Sequence, residues 1–194
     1  TWTGLGTNIF TNIGNGIAYN CGRQNRIVFP TNKTVAVGEG STSIAYSSDG
    51  INWTGIGTTI FSNAGNGIAW NGTYWVAVGE GRNTIAYSSD GINWNGIGTT
   101  IFSNAGNGIA WNGTYWVAVG QGTNSIAYSS DGINWTGIGT TIFSIAGNGI
   151  AWNGTYWVAV GEGRNTIAYS IDGINWAGIG TTIFSNAGNG IAWN

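Results

Sequence analysis

Histidine and methionine are absent from this 194-residue chain, and cysteine and proline occur once each. Without His the commonest general base and metal ligand is missing. The single Cys21 cannot form an internal disulfide. With only Arg23 as a nearby cation, it reads as a plain buried or exposed thiol rather than a reactive one. The missing initiator residue predicts a processed chain or a piece of a longer one. Charged residues make up 6% of the chain, against about 25% in average soluble proteins. Five basic and seven acidic residues give a net charge of −2. No cluster of Lys and Arg exists to neutralise phosphates, which excludes nucleic acid as a partner. No apolar run approaches the ~18 residues of a membrane-spanning helix, and no signal peptide is visible.

What the chain has instead is glycine and aromatic rings: 36 Gly, 12 Trp, 8 Tyr and 6 Phe. So much glycine raises disorder as an alternative. The fixed register of the aromatics opposes it, because disordered chains are poor in such residues. Trp53, Trp94, Trp135 and Trp176 are spaced by 41 positions, as are Trp70, Trp111, Trp152 and Trp193, and Phe61, Phe102, Phe143 and Phe184. A constant period of this length is the signature of a repeat architecture.

Within residues 67–107, GIAWNGTYWVAVG is two apolar stretches around Asn71-Gly72, which predicts a β-hairpin with a type I′ turn. GEGRNT is a Gly-bracketed turn. IAYSSDGINW places Asp90-Gly91 between two more strands, with Asp accepting backbone N–H groups and Gly in the left-handed region. Helix is disfavoured because no window holds a 3.6-residue period and Gly recurs every few residues. The unit therefore reads as four short antiparallel strands: inner (68–70), second (75–78), third (84–87) and outer (92–97). A four-stranded sheet of about 40 residues is the size of one β-propeller blade. Blades packed face to face explain apolar residues on both faces of WVAV, with Trp on one blade opposite Gly and Ala on the next. A β-solenoid is the fold alternative, since period alone does not separate coil from blade.

YSSDGINW at 46–53, 87–94 and 128–135, with YSIDGINW at 169–176, resembles the Asp-box of sialidase-type and related bacterial β-propellers. It is also similar to repeat arrays of bacteria and large DNA viruses. The adjacent Asp and Gly depart from the family's spacing by one residue. The resemblance implies a structural role: Asp49, Asp90, Asp131 and Asp172 tie turns, while Trp53, Trp94, Trp135 and Trp176 pack between blades.

On this reading residues 1–194 form a single all-β repeat domain, a propeller of four complete blades with partial strands at both ends. Residues 1–15 hold an outer strand and connection. Blades follow at 16–66, 67–107, 108–148 and 149–189, and 190–194 begin a further one. The first blade carries ten extra residues in its first hairpin, with Arg23, Arg26, Lys33 and Pro30, which read as a surface loop. Strand edges and blade faces left open at the ends predict further repeats of a longer chain, or further copies of the chain itself, as partners.

The loop between second and third strands is the candidate binding rim: Glu80, Arg82 and Asn83; Gln121, Thr123 and Asn124; Glu162, Arg164 and Asn165. Differences between otherwise identical units concentrate there, at Glu39/Glu80/Gln121/Glu162 and Ser41/Arg82/Thr123/Arg164. Such variation fits a binding rim and equally an unconstrained turn tip. The abundance of aromatics and Asn suggests glycan recognition, although alternation assigns most rings to the core. Sialidase chemistry would need three clustered arginines. Glu39, Glu80 and Glu162 come one per blade, which spaces them around a ring rather than across a glycosidic bond. One Asp per turn is a weak calcium site, so no metal and no cofactor is expected. Sequons at Asn32, Asn52, Asn71, Asn112, Asn134 and Asn153 overlap good turn chemistry. The expected function is a non-catalytic, lectin-like module that recognises glycans or a surface, outside the cell or on a particle. A structural scaffold of a fibre or coat is the alternative, and a sialidase-like hydrolase stands third.

Overall fold

Each 41-residue period builds the same four-stranded antiparallel sheet. A computed structural model describes residue 9, residues 14–19 and residues 33–193. The expected outer strand around Trp2, and the Cys21, Arg23, Arg26, Pro30 and Asn32 portion of the long first hairpin, lie outside the described residues. The first unit comprises β1 (Gly14–Tyr19), β2 (Thr34–Gly38), β3 (Ile44–Ser47) and β4 (Thr54–Gly55). The second has β5 (Ala64–Trp70), β6 (Trp75–Glu80), β7 (Ile85–Ser88) and β8 (Asn95–Gly96). The third has β9 (Ala105–Trp111), β10 (Trp116–Gln121), β11 (Ile126–Ser129) and β12 (Thr136–Gly137). The fourth has β13 (Ala146–Trp152), β14 (Trp157–Glu162), β15 (Ile167–Ser170) and β16 (Ala177–Gly178). Every pairing among the described strands is antiparallel. A coil of stacked copies would need parallel ladders between them, so the solenoid alternative is not the arrangement found.

Three local features depart from the sequence pattern. The inner strand β5 starts at Ala64, well before Ile68, because a bulge between Gly65 and Gly67 breaks the alternation that would reveal it. The outer strand shrinks to two residues, Asn95–Gly96. The Asn71-Gly72 turn is longer than a two-residue hairpin. Trp70 and Trp75 form the last pair, and the Asn71 side-chain oxygen accepts the N–H groups of Thr73 (2.9 Å) and Tyr74 (2.7 Å). An Asx turn of this kind satisfies backbone donors that a longer loop would leave open.

The core lies between units, not within them. In β6, Trp75 and Ala77 pack with Val35, Val37 and Ile44 of the preceding unit. The alternate residues, Val76 and Val78, pack with Phe102, Trp116 and Ala118 of the following unit. The same relation joins Val117, Val119 and Ile126 to Phe143 and Trp157. Strand alternation thus gives each sheet two buried faces, and the second strand feeds both. Trp75, Trp116 and Trp157 are fully buried. Each indole shares its cluster with valines of the unit before it and with an alanine of that unit's inner strand, Ala18, Ala69 or Ala110. Glycines serve further contacts. A Cβ on Gly79 would lie 2.8 Å from the Phe61 ring, so this glycine is what lets Phe61 lie flat on its own sheet. Gly91 takes φ +74° at the Asp90 turn, wedged between Trp75 and Val35.

Units are joined in two further ways. Asn66, released by the bulge in β5, donates its amide to the Gly106 carbonyl of the next inner strand at 3.0 Å. Asn15, Asn107 and Asn148 make the equivalent bond to Gly65, Gly147 and Gly188. Backbone pairing also steps from unit to unit, Ala64 with Glu80, Glu80 with Ala105, Ala105 with Gln121 and Gln121 with Ala146. The described sheet does not close on itself.

Candidate functional site

The loops after β6, β10 and β14 leave the sheets at the corner where successive units are stitched together. Glu80, Gln121 and Glu162 end their strands there, half-buried, with their backbones paired on both sides of the seam. Arg82, Thr123 and Arg164 stand next, exposed. Their backbone N–H groups donate to the hydroxyls of Ser62, Ser103 and Ser144 at 3.0–3.1 Å, which fixes each loop while leaving its variable side chain outside. The remaining expected rim residues face inward. Asn83 donates to the Ile60 carbonyl (2.7 Å) and accepts the Gly98 N–H (2.9 Å). Asn124 and Asn165 repeat both bonds. Each of these amides also lies where a Cβ on Gly96, Gly137 or Gly178 would sit. They hold the loop to the connection before the inner strand, with both amide functions spent.

Sequence reasoning did not single out Ser62, Ser103 and Ser144. Their invariance beside a variable loop was a usable signal. Ile145 was also missed: it replaces the Asn63 and Asn104 of the other units and is 53% exposed on this corner.

The Asp turns sit at the opposite side of the sheet, between the third and outer strands. Asp90 Oδ1 accepts the N–H groups of Ile92 (2.8 Å) and Asn93 (2.7 Å) and the Ser88 hydroxyl, while Oδ2 accepts the Asn93 amide. Asp49, Asp131 and Asp172 are bound in the same way. Burial pushes the Asp90 carboxyl up, but the Asn93 backbone and side chain, the Ile92 N–H and the Ser88 hydroxyl outweigh it and hold the group at about 2. Asp131 is held at about 2 by the same balance. At Asp49 the Asn52 N–H is the largest cause, and that carboxyl lies well below the usual range. Asp172 is also well below it: burial opposes ionisation, and the Asn175 backbone and side chain overcome it. The indoles of Trp53, Trp135 and Trp176 donate to the carbonyls of Gly50, Gly132 and Gly173. Trp94 keeps its position without such a bond. Trp94 and Trp135 each pack against the cluster that joins their unit to the one before. Each carboxylate spends these bonds within its own turn and anchors it.

Among the described residues the Trp rings do not line the variable corner. Trp75, Trp116 and Trp157 are buried, and Trp70, Trp111 and Trp152 lean on them with centroids 4.9–5.3 Å apart at the other end of the strands. Among the described residues no group of three or more His, Cys, Asp and Glu side chains is brought together. Among the described residues no helix is long and apolar enough to cross a membrane.

No protein-family model matches the chain, and no curated protein matches it. Solved structures do. A chain of a nidogen/laminin complex aligns with a TM-score of 0.61 at 16% identity, over 81% of this chain and 60% of the other. YCF48 from Cyanidioschyzon merolae aligns with a TM-score of 0.59 at 14% identity, over 87% and 56%. The GH74 enzyme of Niastella koreensis gives 0.52 at 19% identity, over 76% and 22%. These neighbours are β-propeller proteins. The chain spans about three-fifths or less of the length of each. At such identities the likeness is one of fold: an all-β chain of repeated four-stranded antiparallel units with propeller-like neighbours.

Proposed function

We propose that the chain is a non-catalytic recognition module. Its stitched corner presents Arg82, Thr123 and Arg164, flanked by Glu80, Gln121 and Glu162, to a macromolecular surface. One observation carries this reading. Arg82, Thr123 and Arg164 differ between units and are exposed at this corner, while Asn83, Asn124 and Asn165 (Thr42 in the first unit) and Ser62, Ser103 and Ser144 beside them are consumed in holding the loops. A frame that is constant and a set of exposed positions that vary is what a repeat protein needs to read an extended partner. The neighbours support a binding role by analogy of fold alone. Nidogen occurs in complex with laminin, and YCF48 is also bound to a D1 peptide.

A partner protein is favoured over a sugar, because the side chains that vary in these loops are charged or polar, and the Trp rings are buried or stand at the other end of the strands. The lectin-like version is tested together with it. The chain would be displayed against a glycan array and against a panel of extracellular and particle-surface proteins, beside the Arg82→Ala/Arg164→Ala variant. Binding to a protein that drops at least about tenfold in the variant supports the proposal. Binding to a glycan moves the reading to a lectin. Silence from both, with turnover of a fluorogenic glycoside, would establish a hydrolase instead. Silence from both with ordered self-assembly would favour a structural scaffold of a fibre or coat.

A further inference from the structure

Residues 43–88 and 125–170 are identical at every position but one, Asn63 against Ile145. Asn12, Asn104 and Asn186 also hold Asn at this place in the repeat, so the copy that precedes β13 is the exception. The position is a surface one whatever follows it: Asn63 and Asn104, each with a complete unit after it, are exposed, and so is Ile145, at 53%. A solitary exposed apolar residue is ordinary in a folded protein. The setting of Ile145 is not.

The Ile145 N–H donates to the Glu162 carbonyl at 3.3 Å, and the hydroxyl of Ser144 accepts the Arg164 N–H at 3.0 Å. The backbone of Ile145 is thus fixed against the loop that carries Glu162 and Arg164. The second unit repeats this frame. There the Asn63 N–H donates to the Glu80 carbonyl at 3.2 Å, and the Ser62 hydroxyl accepts the Arg82 N–H at 3.0 Å. Its loop, Gly-Glu-Gly-Arg-Asn-Thr at 79–84, recurs unchanged at 161–166. At the third corner Asn104 stands beside the uncharged Gln121 and Thr123. Among the corners described, the fourth alone joins an exposed apolar side chain to an exposed guanidinium on one fixed frame. The second, with the same loop and Asn63, is its control within the molecule.

We infer that Ile145 and Arg164 are the anchor of the recognition surface, and that its occupant is a peptide segment with an aliphatic or aromatic side chain beside an acidic one. This rests on the reading of the corner as a recognition surface and adds where on it binding centres. The partner's apolar side chain covers Ile145 and removes both from water. Its carboxylate pairs with the planar guanidinium of Arg164. An apolar centre within a polar rim is how protein interfaces concentrate their affinity. Glu162 is already paired with Ala146 on one side and Ala187 on the other, so side chains carry the contact rather than an added strand.

The test selects a displayed library of random linear peptides against the full chain and titrates the enriched sequences by calorimetry. Enriched sequences should place an aliphatic or aromatic residue next to Asp or Glu and bind once per chain. Affinity should fall at least about tenfold in Ile145→Asn and in Arg164→Ala, and change about twofold or less in Arg82→Ala. The melting temperature of Ile145→Asn should match the wild type, since the residue is exposed, so that lost affinity reports the contact and not the fold. Asn63→Ile rebuilds the fourth corner on the second unit and should raise the stoichiometry to two. Binding that falls with Arg164→Ala but survives Ile145→Asn overturns the inference and leaves the recognition reading standing. Binding indifferent to all three variants overturns both. An empty selection, or a stoichiometry that stays at one in Asn63→Ile, overturns the inference as well.

Discussion

At the scale of the residue, the Asp and Asn side chains that recur at the turns are structural. The Asp turns are the sharpest case. Their four carboxyls titrate lower in the folded chain than in the unfolded one, where a carboxyl near 3.9 is expected. The stability they contribute is therefore fully present above about pH 4 and is lost as pH falls through the folded value, about 2 at Asp90 and Asp131. Thermal melts should be flat from pH 7 to about 5 and decline below about 4. The Asp131→Asn variant should melt lower at neutral pH and show a shallower acid limb. A variant that kept the wild-type limb would mean that this turn does not set the acid response. Glycine positions are equally specific. In Gly120→Ala the new methyl would meet the Phe102 ring 2.8 Å away, with the Ala105 carbonyl also in its path. That should destabilise the chain by about 1–3 kcal/mol in urea unfolding, whereas the open Gly113 position should lose less even though its φ of +100° disfavours Ala.

At the scale of the element, the second strand is the unit's contribution to two interfaces, and the inner strand carries the clamp. Trp116→Ala should cost about 3–5 kcal/mol, since it empties the contact between the second and third units. Asn107→Ala leaves the Gly147 carbonyl without its donor and should cost about 1–3 kcal/mol. Because coupling in a repeat array is mainly between neighbours, the second change should loosen the fourth unit first. Hydrogen exchange would then rise across β13 and β14 more than across β5 and β6; uniform loosening would contradict nearest-neighbour coupling. The 41-residue spacing, the Asn-Gly turn and WVAV made strand order, hairpins and double-sided burial legible in the sequence. The bulge at Asn66 was not, because one unpaired residue breaks a period-2 pattern in the same way a strand end does. Nor was the inward turn of Asn83: its hydrogen-bond partners, Ile60 and Gly98, are distant along the chain and become neighbours only in the folded unit.

At the scale of the whole molecule, repetition makes equivalent positions comparable, and the ends of the array supply the control. The Arg82/Thr123/Arg164 positions stood out in the sequence because units that are otherwise near-identical differ there. The missing information was which neighbours of that loop were committed to structure, and periodicity does not report hydrogen bonds. Burial by the next unit is also a whole-molecule property, and it predicts how one substitution plays out along the chain. Val76 and Val117 are fully buried between sheets, and Val158, at the same place on the fourth unit, is half-buried with no further sheet over it among the described residues. Aspartate at the first two would place an unpaired charge in an apolar interface and should cost about 3–5 kcal/mol, enough to unfold a marginal domain. At Val158 the carboxylate reaches water, and the loss should be about 1 kcal/mol or less. Urea denaturation of the three variants side by side measures the difference. Equal losses at all three would mean that the fourth unit's face is covered in solution by something the chain itself provides. A graded loss, large at Val76 and Val117 and small at Val158, is expected if burial in this protein comes from the neighbouring sheet rather than from the sheet a residue belongs to.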